Sequence, residues 1–184
     1  MRCLGLAGAL TLAVGCATGP VVPSDPEQAA DSHAGAGLHL IAEGQPEAAR
    51  PRLERALELV SAHPQALTGM GLVAEAAGDG EASLTYQERA VEAAPDSGPV
   101  LNNYGRALCR SGKIDAALEI FEQATAAEGY QSPEVALTNA ARCALRDGRP
   151  SIARERVAEA LEIAPGFEPA RSLRAQLENE EDER

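Results

Sequence analysis

Arg106, Arg110, Arg142 and Arg146 are the side chains whose spacing best suits joint chemistry. Each pair is four residues apart, which places it on one face of a helix, and the two pairs are offset by 36 residues. A guanidinium holds a carboxylate through two parallel hydrogen bonds, so four of them along one groove would take an acidic segment or a carboxylate terminus. Asn102 and Thr138 lie one turn earlier on the same faces and complete the candidate groove. The competing reading is that these arginines neutralise neighbouring carboxylates such as Glu119 or Glu134. Other reactive groups do not converge. His33 and His39 are six apart and on different helix faces, His63 falls in a turn, and the three are expected exposed or half-buried, which makes a poor zinc site. Gly35-Ala36-Gly37 lacks the Lys and Ser/Thr of a phosphate loop. No catalytic residue, metal, cofactor or small-molecule substrate is assigned, and an enzyme is not expected.

Composition says what must position these groups. The chain has 184 residues, 45% of them hydrophobic, with 3% aromatic and no Trp. Ala and Leu must therefore do the packing, which suits closely spaced helices better than sheets. A net charge of -12 argues against nucleic acid and against electrostatic docking on anionic headgroups.

A repeat supplies the helices. Gly37, Gly71 and Gly105 recur every 34 residues, and Gly44, Gly78 and Gly112 follow each by seven; Gly148 continues the second series after a two-residue insertion. Ala56, Ala90, Ala124 and Ala160 form a third series, and Pro64, Pro95 and Pro165 fall near unit ends. This is the tetratricopeptide period. The small residue at Gly37, Gly71, Gly105 and Ala141 lets helix A touch helix B, and the later glycine closes helix A. Ala49, Ala117 and Ala153 sit where helix B crosses back, and Leu53, Phe121 and Val157 fill the space between hairpins. Ser83 and Tyr86 make the second unit less regular.

The expected fold is all-α: a right-handed superhelical solenoid of about four tetratricopeptide hairpins, near residues 31–63, 64–97, 98–132 and 134–167. A capping helix from Glu168 to Glu178 follows, so the repeat domain is read as 33–178, with an acidic tail at 179–184 to which no role is given.

The N-terminus reads as a signal. Arg2 is followed by an uncharged apolar run from Leu4 to Val14, too short to span a bilayer, and the segment 1–15 is expected to be removed. Leu12-Ala13-Val14-Gly15-Cys16 resembles a bacterial lipobox, although Ala13 stands where Leu, Val or Ile is usual. The resemblance implies lipid on Cys16 and, with Ala17 next, an outer-membrane address facing the periplasm; the alternative is an ordinary signal cut near Ala17. Pro20, Pro23 and Pro26 lie within residues 16–32, read as a flexible lipid-anchored tether.

Cys3 leaves with the signal, so Cys109 and Cys143 are the thiols that remain besides Cys16. They are 34 residues apart, late in the A helices of neighbouring hairpins, so a bridge is reachable; two separate buried thiols are the other reading.

The segment Asn102-Asn103-Tyr104-Gly105-Arg106-Ala107-Leu108-Cys109, together with Asn139-Ala140-Ala141-Arg142-Cys143 and Tyr130-Gln131-Ser132-Pro133, resembles the type IV pilus biogenesis and stability lipoproteins called PilW or PilF. Ala107, Gln131 and Ala141 depart from the usual Phe, Pro and Gly, and about four repeats stand where that family usually has more. The resemblance implies a disulfide between Cys109 and Cys143 and a scaffold that helps the outer-membrane pilus secretin assemble, localise or stay stable. A generic adaptor lipoprotein for an envelope hydrolase or protease is the alternative.

Overall fold

The computed structural model describes residues 25–182. Among them are α1 (Pro26–Ala42), α2 (Pro46–Leu59), α3 (Pro64–Ala76), α4 (Gly80–Ala93), α5 (Gly98–Arg110), α6 (Ile114–Ala126), α7 (Pro133–Arg146), α8 (Pro150–Ile163) and α9 (Glu168–Asp182), with no strand in the described residues. The signal segment, Cys3, Cys16 and the first part of the expected tether lie outside the described residues.

The start of α1 corrects the tether expected to run to Ser32. The Asp25 carboxylate accepts from the backbone N–H of Glu27 and Gln28 at 2.9 and 3.3 Å, and Pro26 takes the first helical position, where a missing N–H costs nothing. Residues 26–32 therefore form the first turns of α1. At the other end α9 continues past Glu178 to Asp182, so the acidic stretch extends the capping helix; glutamates are good helix formers and no Gly or Pro interrupts them.

Helix ends follow the repeat. Gly44, Gly78, Gly112 and Gly148 carry φ of 76°, 79°, 79° and 72°, the left-handed conformation that closes an A helix and that a β-carbon resists. Proline occupies the first turn of α2, α3, α7 and α8 as well as α1.

Sequential helices pack as hairpins, and the A helices also touch one another: α1 on α3, α3 on α5, α5 on α7 and α7 on α9. The B helices α2, α4, α6 and α8 make no such contacts among themselves in the described residues. The layer whose helices touch is the inner side of a curved stack, so the A helices line the concave face.

The register inside each hairpin is a small residue facing a larger one sixteen positions on. A β-carbon at Gly37 would lie 2.6 Å from Leu53, one at Gly71 2.5 Å from Gln87, and one at Gly105 2.8 Å from Phe121. In the fourth hairpin Ala141 and Val157 hold these positions, both buried. Alanines such as Ala49, Ala56, Ala117, Ala124, Ala153 and Ala160 are fully buried, as a core of close-set helices requires. Gln87 is the exception to apolar filling. It is 1% exposed, its amide donates to the Thr68 carbonyl at 3.2 Å, and its Oε1 and the Thr68 hydroxyl have no partner.

Candidate functional site

Helices α5 and α7 carry the candidate groove. Their neighbouring positions on the inner layer bring Cys109 and Cys143 to a Cα separation of 5.9 Å, and the two are joined as a disulfide. Both sulfurs are buried in the cluster that holds Leu101, Leu108, Phe121 and Ala140. The bridge fixes the two A helices side by side over a 34-residue separation, which removes conformational freedom from the unfolded chain.

Above this floor lies a small cleft of about 130 Å³ lined by Arg106, Arg110, Arg142 and Arg146 with Asn139, Phe121 and the two cysteines. The four arginines expected to share one groove do share it. Two of the expected companions do not. Thr138 is 2% exposed and its hydroxyl donates to the Glu134 carbonyl one turn back, while Asn102 is 7% exposed and its Oδ1 accepts from the Asn139 amide at 3.0 Å. A step of four residues on a helix leaves a rotation of roughly 40°, enough to turn Asn102 and Thr138 inward from the arginines. Asn139, the neighbour of Thr138, stands in the cleft instead.

The charges around the cleft are uneven. Arg106 and Arg110 both reach the Glu75 carboxylate of α3, at 3.1 and 3.0 Å, and Arg106 also donates to the Asn103 Oδ1 at 3.0 Å. Glu75, rather than Glu119 or Glu134, is their counter-charge. Sequence spacing within one helix does not reveal it, because it belongs to the preceding repeat. Arg142 and Arg146 are exposed, and no carboxylate of the described residues lies within 4 Å of either. The charges around α6 and α8 differ. Arg149 bonds Asp115 at 2.6 Å and Asp147 at 2.7 Å, and Arg156 bonds Glu122 at 2.9 Å and Glu159 at 3.0 Å. The hydrogen bond to Asp115, with Asp147 beside it, holds the Arg149 pKa above its ordinary value. Burial works against the charge on Arg156, but Glu159, Glu122 and Glu155 outweigh it and raise its pKa too.

Tyr104 and Tyr130 flank the bridge cluster. Burial, and then Glu88 and Glu134 respectively, raises both phenol pKa values from 10.0. Tyr130 lies on Gly98, whose absent β-carbon would meet its ring at 2.5 Å.

His63 departs from the exposure expected of it. It is 6% exposed and caps α3: Nδ1 accepts from the Ala66 N–H at 3.3 Å, leaving Nε2 to donate to Asp31 at 3.0 Å. Its position before Pro64 is a cap position, and α1 packs over it. His33 is half-buried and His39 exposed, and no group of three or more His, Cys, Asp or Glu in the described residues could hold a metal ion. A larger cavity of about 440 Å³ opens between α8 and α9, but its rim mixes Arg154 and Arg174 with Glu162 and Glu178 around Leu161 and Leu177, so it favours neither sign of charge. No helix of the described residues is long and apolar enough to cross a membrane.

Comparison with curated proteins yields no match. Residues 63–129 and 111–177 each match a family model for tetratricopeptide repeats. Among solved structures, the chain is similar to Pseudomonas aeruginosa PilF, with 22% identity over 86% of this chain and 71% of that one and a TM-score of 0.78. It is also similar to PilW, described as a widely conserved type IV pilus biogenesis factor, with 22% identity over 78% of this chain and 66% of that one and a TM-score of 0.71. YrrB, a tetratricopeptide protein described as having an unusual peptide-binding site, is 24% identical over 77% of this chain and 72% of its own, with a TM-score of 0.62. At these identities the likeness is one of fold. With repeat matches that together run from residue 63 to residue 177, and a stack of helical hairpins in that architecture, the chain belongs to the tetratricopeptide repeat family.

Proposed function

We propose that this chain is a non-enzymatic scaffold of type IV pilus biogenesis: a lipoprotein held through Cys16 at the periplasmic face of the bacterial outer membrane, which assists assembly, localisation or stability of the pilus secretin by binding protein. The observation that carries the reading is the Cys109–Cys143 bridge. It joins the two A helices whose Asn102–Cys109 and Asn139–Cys143 segments resemble the PilW and PilF lipoproteins, in a solenoid similar to both. A concave face of touching A helices, with arginines above the bridge, offers a surface for a protein segment and no convergent nucleophile, acid and base.

The test has two parts. Metabolic labelling with radioactive palmitate should tag the wild-type chain and leave Cys16→Ser unlabelled and in the soluble periplasmic fraction. Pull-down of the wild-type chain from detergent-solubilised envelopes, read by mass spectrometry, should recover a secretin with other pilus components. Recovery of a hydrolase or protease with no pilus component would overturn the pilus assignment and leave an adaptor of another envelope complex.

A further inference from the structure

Repeat register explains why half of the arginine cleft has no counter-charge. The small residues Gly71, Gly105 and Ala141 fix equivalent positions, each facing its partner sixteen residues on in helix B. Counted from them, Arg106 and Arg142 are equivalent, and so are Arg110 and Arg146. Each pair looks toward the preceding A helix. For the first pair that helix is α3, and four residues after Gly71 it presents Glu75, which both arginines bind. For the second pair that helix is α5, and four residues after Gly105 it presents Cys109, committed to the disulfide. The position that supplies the carboxylate in one repeat supplies a buried sulfur in the next. The Glu75 arrangement is thus a worked example, within the same chain, of what an arginine pair at this register does with a carboxylate.

We propose that Arg142 and Arg146, with Arg106 and Arg110 beside them, form a docking site for an acidic segment of a partner protein, whose Asp or Glu side chain takes the place that Glu75 takes one repeat earlier. The proposal deepens the scaffold reading and rests on it. Charge complementarity selects the occupant. Four guanidiniums line this cleft and one carboxylate, Glu75 of α3, reaches two of them, whereas the chain as a whole carries -12 and Arg149 and Arg156 elsewhere are matched by carboxylates. An uncompensated basic spot on an acidic protein repels basic and tolerates neutral surfaces poorly, but selects an acidic one. The floor beneath is apolar, so a bound carboxylate gains strength from the lowered local dielectric.

The probe is a dodecapeptide of alternating Glu and Ala, labelled at its N-terminus with an uncharged BODIPY dye and amidated at its C-terminus, titrated by fluorescence polarisation with the full chain purified in neutral detergent. The Gln/Ala peptide is the uncharged control, and the Gln/Ala peptide with a free C-terminus presents a terminal carboxylate instead. The Glu peptide should bind and the amidated Gln peptide should not. Replacing Arg142 and Arg146 together by Ala should weaken binding about tenfold, as expected for two exposed charge-assisted contacts. Glu75→Gln, which frees the first pair, should tighten it several-fold. Arg171→Ala with Arg174→Ala, an equal charge change on α9, should leave it unchanged, and circular dichroism should report the same helical content for all variants. Equal binding by the Arg142 and Arg146 variant, or equal weakening by the α9 variant, would overturn the site. Binding of the free-acid Gln peptide alone would overturn the side-chain assignment in favour of a chain terminus. Failure of the Glu peptide while envelopes still yield a secretin removes the site and leaves the scaffold; arginine-dependent binding with no pilus component recovered removes the pilus reading and leaves the site.

Discussion

Gly105→Ala is a sharp test of how the hairpins are spaced. A β-carbon there would sit 2.8 Å from Phe121 Cε1, 2.9 Å from Cδ1 and 3.1 Å from Cζ, where carbons at rest keep about 3.5–4.0 Å. Phe121 of α6 is 2% exposed and packs against α5 and α7, so its ring can shift only at the expense of those contacts. Forcing α5 from α6 costs about 1–3 kcal/mol. Alanine gives back about 1 kcal/mol as a better helix former than glycine. The expected net effect is a loss of up to about 2 kcal/mol. The fourth hairpin shows the remedy, because there the small residue is already Ala141 and the large one is only Val157. Phe121→Val alone opens a cavity and should cost about 2–4 kcal/mol. Combined with Gly105→Ala it should cost about 1–2 kcal/mol less than the two losses added. Urea unfolding of the four proteins, followed by far-UV circular dichroism with the disulfide intact, reads the cycle. A Gly105→Ala protein more stable than wild type, or strict additivity in the pair, would refute the claim that this contact sets the spacing beneath the arginine cleft.

Reducing the Cys109–Cys143 bridge, or replacing both by Ala, should lower unfolding stability by about 3–4 kcal/mol on loop-entropy grounds, and an unchanged urea midpoint after reduction would contradict a bridge that constrains the unfolded chain. Gln87→Leu replaces a buried amide whose Oε1 has no partner with the kind of side chain that Leu53 supplies in the first hairpin; it should stabilise by about 1–2 kcal/mol, and a loss would mean that the bond to the Thr68 carbonyl outweighs the unpaired oxygen. Burial first and Glu134 second raise the Tyr130 pKa above 10.0, so the folded chain holds this proton more tightly than the unfolded one. The associated stability is complete below the unfolded value and is lost as pH rises through the higher folded one. Melting temperatures between about pH 8 and pH 11 should therefore fall more steeply for wild type than for Tyr130→Phe, and parallel curves would contradict it.

Much of the fold was legible in the sequence because its punctuation is steric. Gly44, Gly78, Gly112 and Gly148 must adopt positive φ, and Gly37, Gly71 and Gly105 must admit a neighbouring side chain, so each recurs with the unit. The start of α1 is obscured for a local reason: Pro20, Pro23 and Pro26 read together as a proline-rich tether, yet Asp25-Pro26 is a cap followed by a first-turn proline. The arginine cleft was legible because i, i+4 pairs repeat along the A helices. Its counter-charge was not, since Glu75 meets Arg106 across a repeat boundary and has no counterpart at Cys109. Thr138 and Asn102 do not share the arginines' face, because a full turn is shorter than four residues and the remainder turns them inward. His63 falls in a turn by sequence, and its position before Pro64 makes it a cap that α1 covers.

The central claim is that the concave face holds a pilus secretin, and site-specific photocrosslinking in living cells tests it most directly. A photoreactive residue at Ser111, exposed at the end of α5 beside Arg110, would be compared with one at Gln123, exposed on helix B of the same hairpin. The account predicts a secretin adduct from position 111, diminished by Arg142→Ala with Arg146→Ala, and none from position 123. A secretin adduct from position 123 alone, or adducts from position 111 to envelope proteins with no pilus component among them, would contradict it.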